Sequence, residues 1–176
     1  MPILVTITGP IAAGKNTVAT LLADRFIDAG RSVVIADVDD VAMMVSAPGA
    51  GATGLWFAAH QAHGALVGQW MRSDADAVIS VGPIYTQAEH DALFGQLPSE
   101  VQLLRVLIDA PLSVTWERAQ ADHLRGASRE RDFHEAAHAR YRALMSEISA
   151  DLTFDSSDMT AAKIAMSIYE ATQLTD

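Results

Sequence analysis

The sequence contains no cysteine. That excludes a disulfide framework, a thiolate metal site and a cysteine nucleophile. It has no apolar run long enough to span a bilayer, and its opening apolar stretch has no basic leader and stops at Gly9. No membrane partner and a cytoplasmic location are therefore expected. Repeats, low-complexity tracts and a dividing linker are also missing, so 1–176 is expected to form one domain. Positive charge is scarce: 12 lysines and arginines stand against 22 acids, a formal charge of −10. Nucleic-acid polymers require a positive footprint and are not expected as partners. A local cluster of donors can still hold a phosphate in an acidic protein. With 50% hydrophobic and 19% charged residues, the chain has the composition of a globular protein with one core.

Strand-like and helix-like segments alternate. Pro2 to Thr8 is β-branched and ends at a glycine, which predicts a buried strand. Lys15 to Ala29 places Val18, Leu21, Leu22 and Phe26 at helical spacing, and Gly30 follows as a stop. Further strands are expected over Val33–Ala36, Ala77–Val81, Val101–Ile108 and Leu152–Phe154. Helices are expected over Leu55–Met71, Gln87–Phe94, much of Arg118–Arg142 with a break near Gly126, and from a cap at Asp158 to about Thr172. Ser46–Gly54 reads as a Gly/Ala-rich loop. Such alternation means parallel crossovers: an α/β three-layer sandwich around a five-stranded parallel sheet. Ligands of these sheets bind beyond the C-terminal ends of the strands, where Gly9, Asp37, Gly82 and Asp109 all fall.

The segment Gly9-Pro-Ile-Ala-Ala-Gly14-Lys15-Asn16-Thr17 fits G-x-x-x-x-G-K between a strand and a helix. The glycines let the backbone curl so that successive N–H groups, Ala12 and Ala13 included, point at phosphate oxygens. The helix that starts near Lys15 adds its dipole, and Lys15 can follow the charge of the β- and γ-phosphates. This is a P-loop, and ATP with Mg²⁺ is the expected ligand. Asn16 stands where a Mg²⁺-ligating hydroxyl is usual; its carbonyl oxygen is the weaker substitute, and Thr17 offers a hydroxyl one residue later.

The run Gly14-Lys15-Asn16-Thr17 resembles the G-K-G-T of adenylate and other nucleoside monophosphate kinases. Those enzymes work without the first hydroxyl. Asp37-Val38-Asp39 after the second strand is similar to the acidic pair of shikimate and gluconate kinases. The resemblance implies that Asp37 helps hold Mg²⁺ or the acceptor, and that Asp39 binds an acceptor hydroxyl or acts as base. The competing reading is that Asp37–Asp40 only cap the next helix, Asp40 most simply so. Gly82-Pro83-Ile84-Tyr85 resembles the glycine loop that lines the acceptor pocket of small-molecule kinases. The third strand ends without the metal-holding acid of many ATPases and GTPases, and there is no N-K-x-D motif for guanine.

Arg118, Arg125, Arg129, Arg131, Arg140 and Arg142 crowd into one stretch. Guanidinium groups match the charge spread over a transferring phosphoryl group, and a mobile cover that carries them excludes water. Arg129-Glu-Arg-Asp132, with Arg140 beyond it, resembles the lid of adenylate kinases. That implies a helical lid over about 118–142, with Arg129 and Arg140 on the transferring phosphates and Arg118 against the adenine and phosphates. Arg131 breaks the pattern, and Arg142 reads as a solvated helix-face charge in an i,i+4 ion pair.

His134-Glu135-Ala-Ala-His138 also spells the zinc-hydrolase motif H-E-x-x-H, but no third ligand follows at the extended spacing. His60 and His63 are too sparse for a metal claim; His63 is expected on a helix surface or in the acceptor pocket. Trp56, Phe57 and Trp70 are expected in the core or a pocket wall. The whole pattern resembles the P-loop small-molecule and nucleoside monophosphate kinases. It implies a phosphotransferase, monomeric or homodimeric, acting on a small hydroxylated metabolite or a nucleotide. Between Val41 and Met71 there is no arginine, which favours an acceptor without phosphate. Asn16 and the bare third strand keep open a nucleotide-binding regulator without transfer activity, and the zinc hydrolase stands as a third reading.

Overall fold

The computed structural model describes residues 2–123 and 126–174. Five strands form one all-parallel sheet in the order β2-β3-β1-β4-β5. Their ranges are β1 Ile3–Thr8, β2 Val33–Asp37, β3 Ala77–Val81, β4 Gln102–Asp109 and β5 Leu152–Asp155. Between them run α1 Lys15–Asp28, α2 Val38–Ala42, α3 Trp56–Trp70, α4 Gln87–Phe94, α5 Leu112–Ala121, α6 Arg131–Leu144 and α7 Ala161–Gln173. β1 is buried along its whole length because it lies between β3 and β4, with a layer on each face.

The alternation of β1 assigns its two faces. Ile3, Val5 and Ile7 pack with Leu22 and Phe26 of α1 and Ile164 and Ile168 of α7. Leu4 turns the other way, to Val67 and Met71 of α3 and Leu93 of α4. A third cluster joins Tyr85, Leu107 and Tyr141, so α6 is seated on the sheet by a fully buried tyrosine. Gly64 and Gly68, one turn apart on α3, allow α4 to come close. A Cβ at either would lie 2.0 Å from the Ala92 carbonyl oxygen or 2.3 Å from that of Gln96.

Register brings the chemistry to one edge. Ile7 pairs with Val81, Asp37 with Val81, and Thr8 with Leu107. The loops after β1, β2, β3 and β4 therefore leave the sheet side by side.

Several expectations need correction. The last helix is capped by Thr160, whose side chain accepts from the Lys163 N–H, and not by Asp158. The acidic segment after β2 forms a short helix whose cap is Asp37; Asp39 and Asp40 lie inside it. Phe57 and Trp70 are 45% and 41% exposed, so they are not core residues. His63, expected on a surface, is buried, as is His60. Arg125 lies outside the described residues.

Candidate active site

The loop after β1 needs backbone shapes that few residues adopt. Gly9 has φ 147°, and a Cβ there would lie 1.9 Å from the Ile108 carbonyl oxygen, so only glycine lets the loop cross β4. Ala12 and Gly14 have φ 55° and 95°. These left-handed turns curl the backbone into a concave nest. No side chain caps α1 at Gly14, and a helix N-terminus is a favourable place for an anion.

Lys15 folds back over this nest. Its Nζ donates to the carbonyls of Gly9 at 3.0 Å and Pro10 at 2.8 Å. The Gly9 carbonyl also accepts from the Tyr85 hydroxyl at 2.7 Å. Burial raises the Tyr85 pKa well above the ordinary phenol range, which keeps it a donor. The loop is fastened from the other side as well. The Ala13 carbonyl accepts from Ser156 Oγ at 2.8 Å and Arg118 Nη1 at 3.3 Å, and Arg118 also donates to the Ser156 carbonyl at 2.7 Å. Arg118 thus lies against the P-loop backbone.

Asn16 Nδ2 donates to Asp37 Oδ2 at 2.7 Å. The amide turns its nitrogen, not its carbonyl, toward the carboxylate. Asp37 Oδ1 accepts the Asp39 N–H at 2.9 Å. Asp37 therefore caps α2 through one oxygen and holds Asn16 through the other. The side chains of Asp37, Asn16 and the exposed Thr17 carry only hard oxygen atoms as possible metal donors. Mg²⁺ takes few protein ligands and keeps several waters, so this donor set suits it.

The loop after β3 closes the opposite wall. Gly82 has φ 153°, and a Cβ there would lie 2.5 Å from Val38 Cγ1, so β3 and α2 approach closely. The Ile84 N–H donates to Thr8 Oγ1 at 3.1 Å. Pro83 and Ile84 are half-buried and Tyr85 is buried. Glu89, 5% exposed, organises the next turn. Its Oε2 accepts the N–H groups of Tyr85 and Thr86 at 2.8 and 3.0 Å. Its Oε1 accepts from Arg140 Nη2 at 2.6 Å. The Arg140 guanidinium also lies 5.1 Å from the centre of the Tyr85 ring. These donors hold the Glu89 carboxyl below the ordinary range although burial opposes them.

The remaining arginines divide. Arg129 is half-buried with its Nε lacking any hydrogen-bond partner. Arg131 makes the i,i+4 pair expected of Arg142, to Glu135 at 2.7 Å. Arg142 instead donates to Asp109 Oδ2 at 2.8 Å and the Ala110 carbonyl at 2.9 Å, and pins α6 to the end of β4. The zinc motif resolves into structure. His134 Nδ1 donates to the Ser128 carbonyl at 2.9 Å, and His138 Nε2 to that of Ala110 at 3.1 Å. Among the described residues no three His, Cys, Asp or Glu side chains are grouped to hold a metal.

Three residues escaped the sequence reading. Glu89 was legible, since Thr86-x-x-Glu89 spells a capping box and the box is formed. Ser156 follows a strand with no motif around it. His60 gave only a sparse histidine pair; it is 4% exposed and its Nε2 has no partner.

No protein-family model matches this sequence, and no curated protein matches it significantly. Solved structures do match. A shikimate kinase from Acinetobacter baumannii in complex with shikimate is 17% identical, with 100% of this chain and 96% of that chain covered at a TM-score of 0.61. An APS kinase from Mycobacterium tuberculosis in complex with AMPPNP and APS is 19% identical, with 98% of each covered at 0.62. A sugar kinase from a Janibacter species is 16% identical, with 99% of this chain and 98% of that one covered at 0.61. The chain has the α/β fold of P-loop kinases. At these identities the likeness is one of fold.

Proposed function

We propose that the protein transfers the γ-phosphoryl group of ATP to a hydroxyl of a small acceptor. One observation carries this reading: a curled loop with Lys15 at its helix stands beside the Asp37–Asp39 pair at the end of the next helix-capping strand. The kinases of the same fold support it. ATP phosphates would occupy the nest from Gly9 to Gly14, and Lys15 would leave its two carbonyls for the β- and γ-oxygens. The acceptor would lie between Asp39 and the Gly82–Tyr85 loop. Asp39 accepts the hydroxyl proton as the acceptor oxygen bonds to the γ-phosphorus. The bond to the β,γ-bridging oxygen breaks, and ADP leaves with its electron pair. Asp37, with Asn16 or Thr17, would hold Mg²⁺, which neutralises phosphate charge when bound. Arg118 supports the nucleotide side of the loop, and Arg129 would contact the transferring phosphates. Arg140 needs its Glu89 contact broken before it can reach a phosphate.

Calorimetric titration with ATP and Mg²⁺ tests the first step. Binding by the intact protein and its loss in Lys15→Ala are expected. Asp39→Asn should keep nucleotide binding and lower acceptor-dependent ADP release by about a hundredfold, the scale of a lost general base. Binding without ADP release for any acceptor would favour the regulator reading, which the Asn16–Asp37 contact motivates. A cytoplasmic monomer or homodimer is the setting we propose.

A further inference from the structure

The phosphotransferase reading above leaves the acceptor's chemistry open. We propose that the acceptor is an uncharged, partly apolar alcohol, and that His60 binds a second polar group on it. The proposal rests on that reading and on three features around the pocket.

First, residues 41–71 contain no Asp, Glu, Lys or Arg. This run includes all of α3, which packs against α2, the helix that carries Asp39. A carboxylate or phosphate on the acceptor would find no countercharge there. Second, the nearby cation is committed. Arg140 pairs with Glu89, whose other oxygen is held by two backbone N–H groups. Lending Arg140 to an anionic acceptor would strand a buried carboxylate, which costs more than a surface pair does. Third, His60 is a buried polar side chain with Nε2 unsatisfied. Buried polar atoms are satisfied with few exceptions, and an orphan costs about 1–3 kcal/mol.

The charged and titratable groups near His60 are Glu89, His63 and Arg140. Burial outweighs Glu89 and holds the imidazole below its ordinary pKa, so it is neutral at physiological pH. A neutral imidazole offers one donor and one acceptor, the complement of a hydroxyl or amide. His63, three residues on, differs: its Nε2 donates to the Ala36 carbonyl at 3.0 Å, so its role is filled within the fold. Trp56 lies edge-on to His60, with ring centres 5.4 Å apart. Trp56 is the first residue of α3, two positions beyond Gly54 at the end of the glycine-rich loop, and in this proposal its side chain swings to admit the ligand. Trp56 and Tyr85 then supply apolar surface to the acceptor.

The test is ADP release from ATP across defined acceptors. The uncharged set is 1-phenyl-1,2-ethanediol, adenosine, thymidine and glucose; the anionic set is shikimate, gluconate and AMP. Release with an uncharged alcohol and none with the anions is expected. For that alcohol, His60→Phe should raise KM about tenfold, the scale of one lost hydrogen bond. Its kcat should change by less than about threefold and its ATP affinity not at all, as expected when only uniform binding is lost. His60→Gln, which keeps a donor and an acceptor, should recover most of the KM. Turnover of an anion overturns the proposal, and so does an unchanged KM in His60→Phe. Silence of every uncharged alcohol with ATP bound through Lys15 overturns the acceptor class while nucleotide binding stands. Failure of the intact protein to bind ATP removes the phosphotransferase reading and this proposal with it.

Discussion

Burial holds the imidazoles of His60 and His63 below their ordinary pKa. The unfolded chain therefore binds more protons than the folded one once the pH falls below about 6.5. Their contribution to stability is complete above that pH and is lost as pH falls toward the folded pKa values. Thermal melts from pH 8 to pH 5 should show a falling midpoint, and His63→Gln, which can still donate to the Ala36 carbonyl, should flatten the slope. A midpoint that rises on acidification would contradict the burial of both rings. At this scale the sequence was readable wherever backbone need and residue type coincide. Gly9, Gly14 and Lys15 announce a phosphate loop because few other residues tolerate those shapes. The partners of Arg140 and Arg142 were not readable, because Glu89 and Asp109 meet them through the fold, 51 and 33 residues away. Asp37 was ambiguous for a physical reason: a carboxylate has two oxygens, and here one accepts the Asp39 N–H while the other accepts from Asn16.

Helix α6 shows how an element that reads as a lid can belong to the body. His134, His138 and Tyr141 are buried on one face, and the charged residues spread over the other. Arg142 fixes its end to the sheet through Asp109 and Ala110. Arg142→Ala should lower stability by about 1–3 kcal/mol, the range for a charge-assisted bond and a stranded acceptor. Hydrogen exchange should then speed up in α6 and at Asp109 before it does in β1. Uniform acceleration across the sheet would show that α6 is not a separable unit. The strands and α1, α3 and α4 were legible within one residue at most ends, because β-branched runs and amphipathic spacing agree with their burial. The start of α7 slipped by two residues, since Asp158 and Thr160 are both good caps and the choice depends on the turn after β5.

For the whole molecule, nucleotide binding acts as a stabilising ligand. ATP at about a hundred times its dissociation constant should add about 2.7 kcal/mol and raise the melting temperature by roughly 5–10 °C for a chain of this size. Differential scanning calorimetry with and without ATP and Mg²⁺ reads this, and Lys15→Ala should show no rise. The parallel sheet was legible from alternation alone. The strand order was not, since right-handed crossovers permit more than one arrangement of five strands.

The bond between Ala13 and Ser156 spans 143 positions of the chain. During synthesis the P-loop emerges well before Ser156, the residue that fastens its Ala13 carbonyl. Nascent chains truncated before β5 would carry the complete motif without its clasp. Such chains are expected to bind ATP more weakly than chains that include Ser156, and nucleotide titration of the two would read the difference.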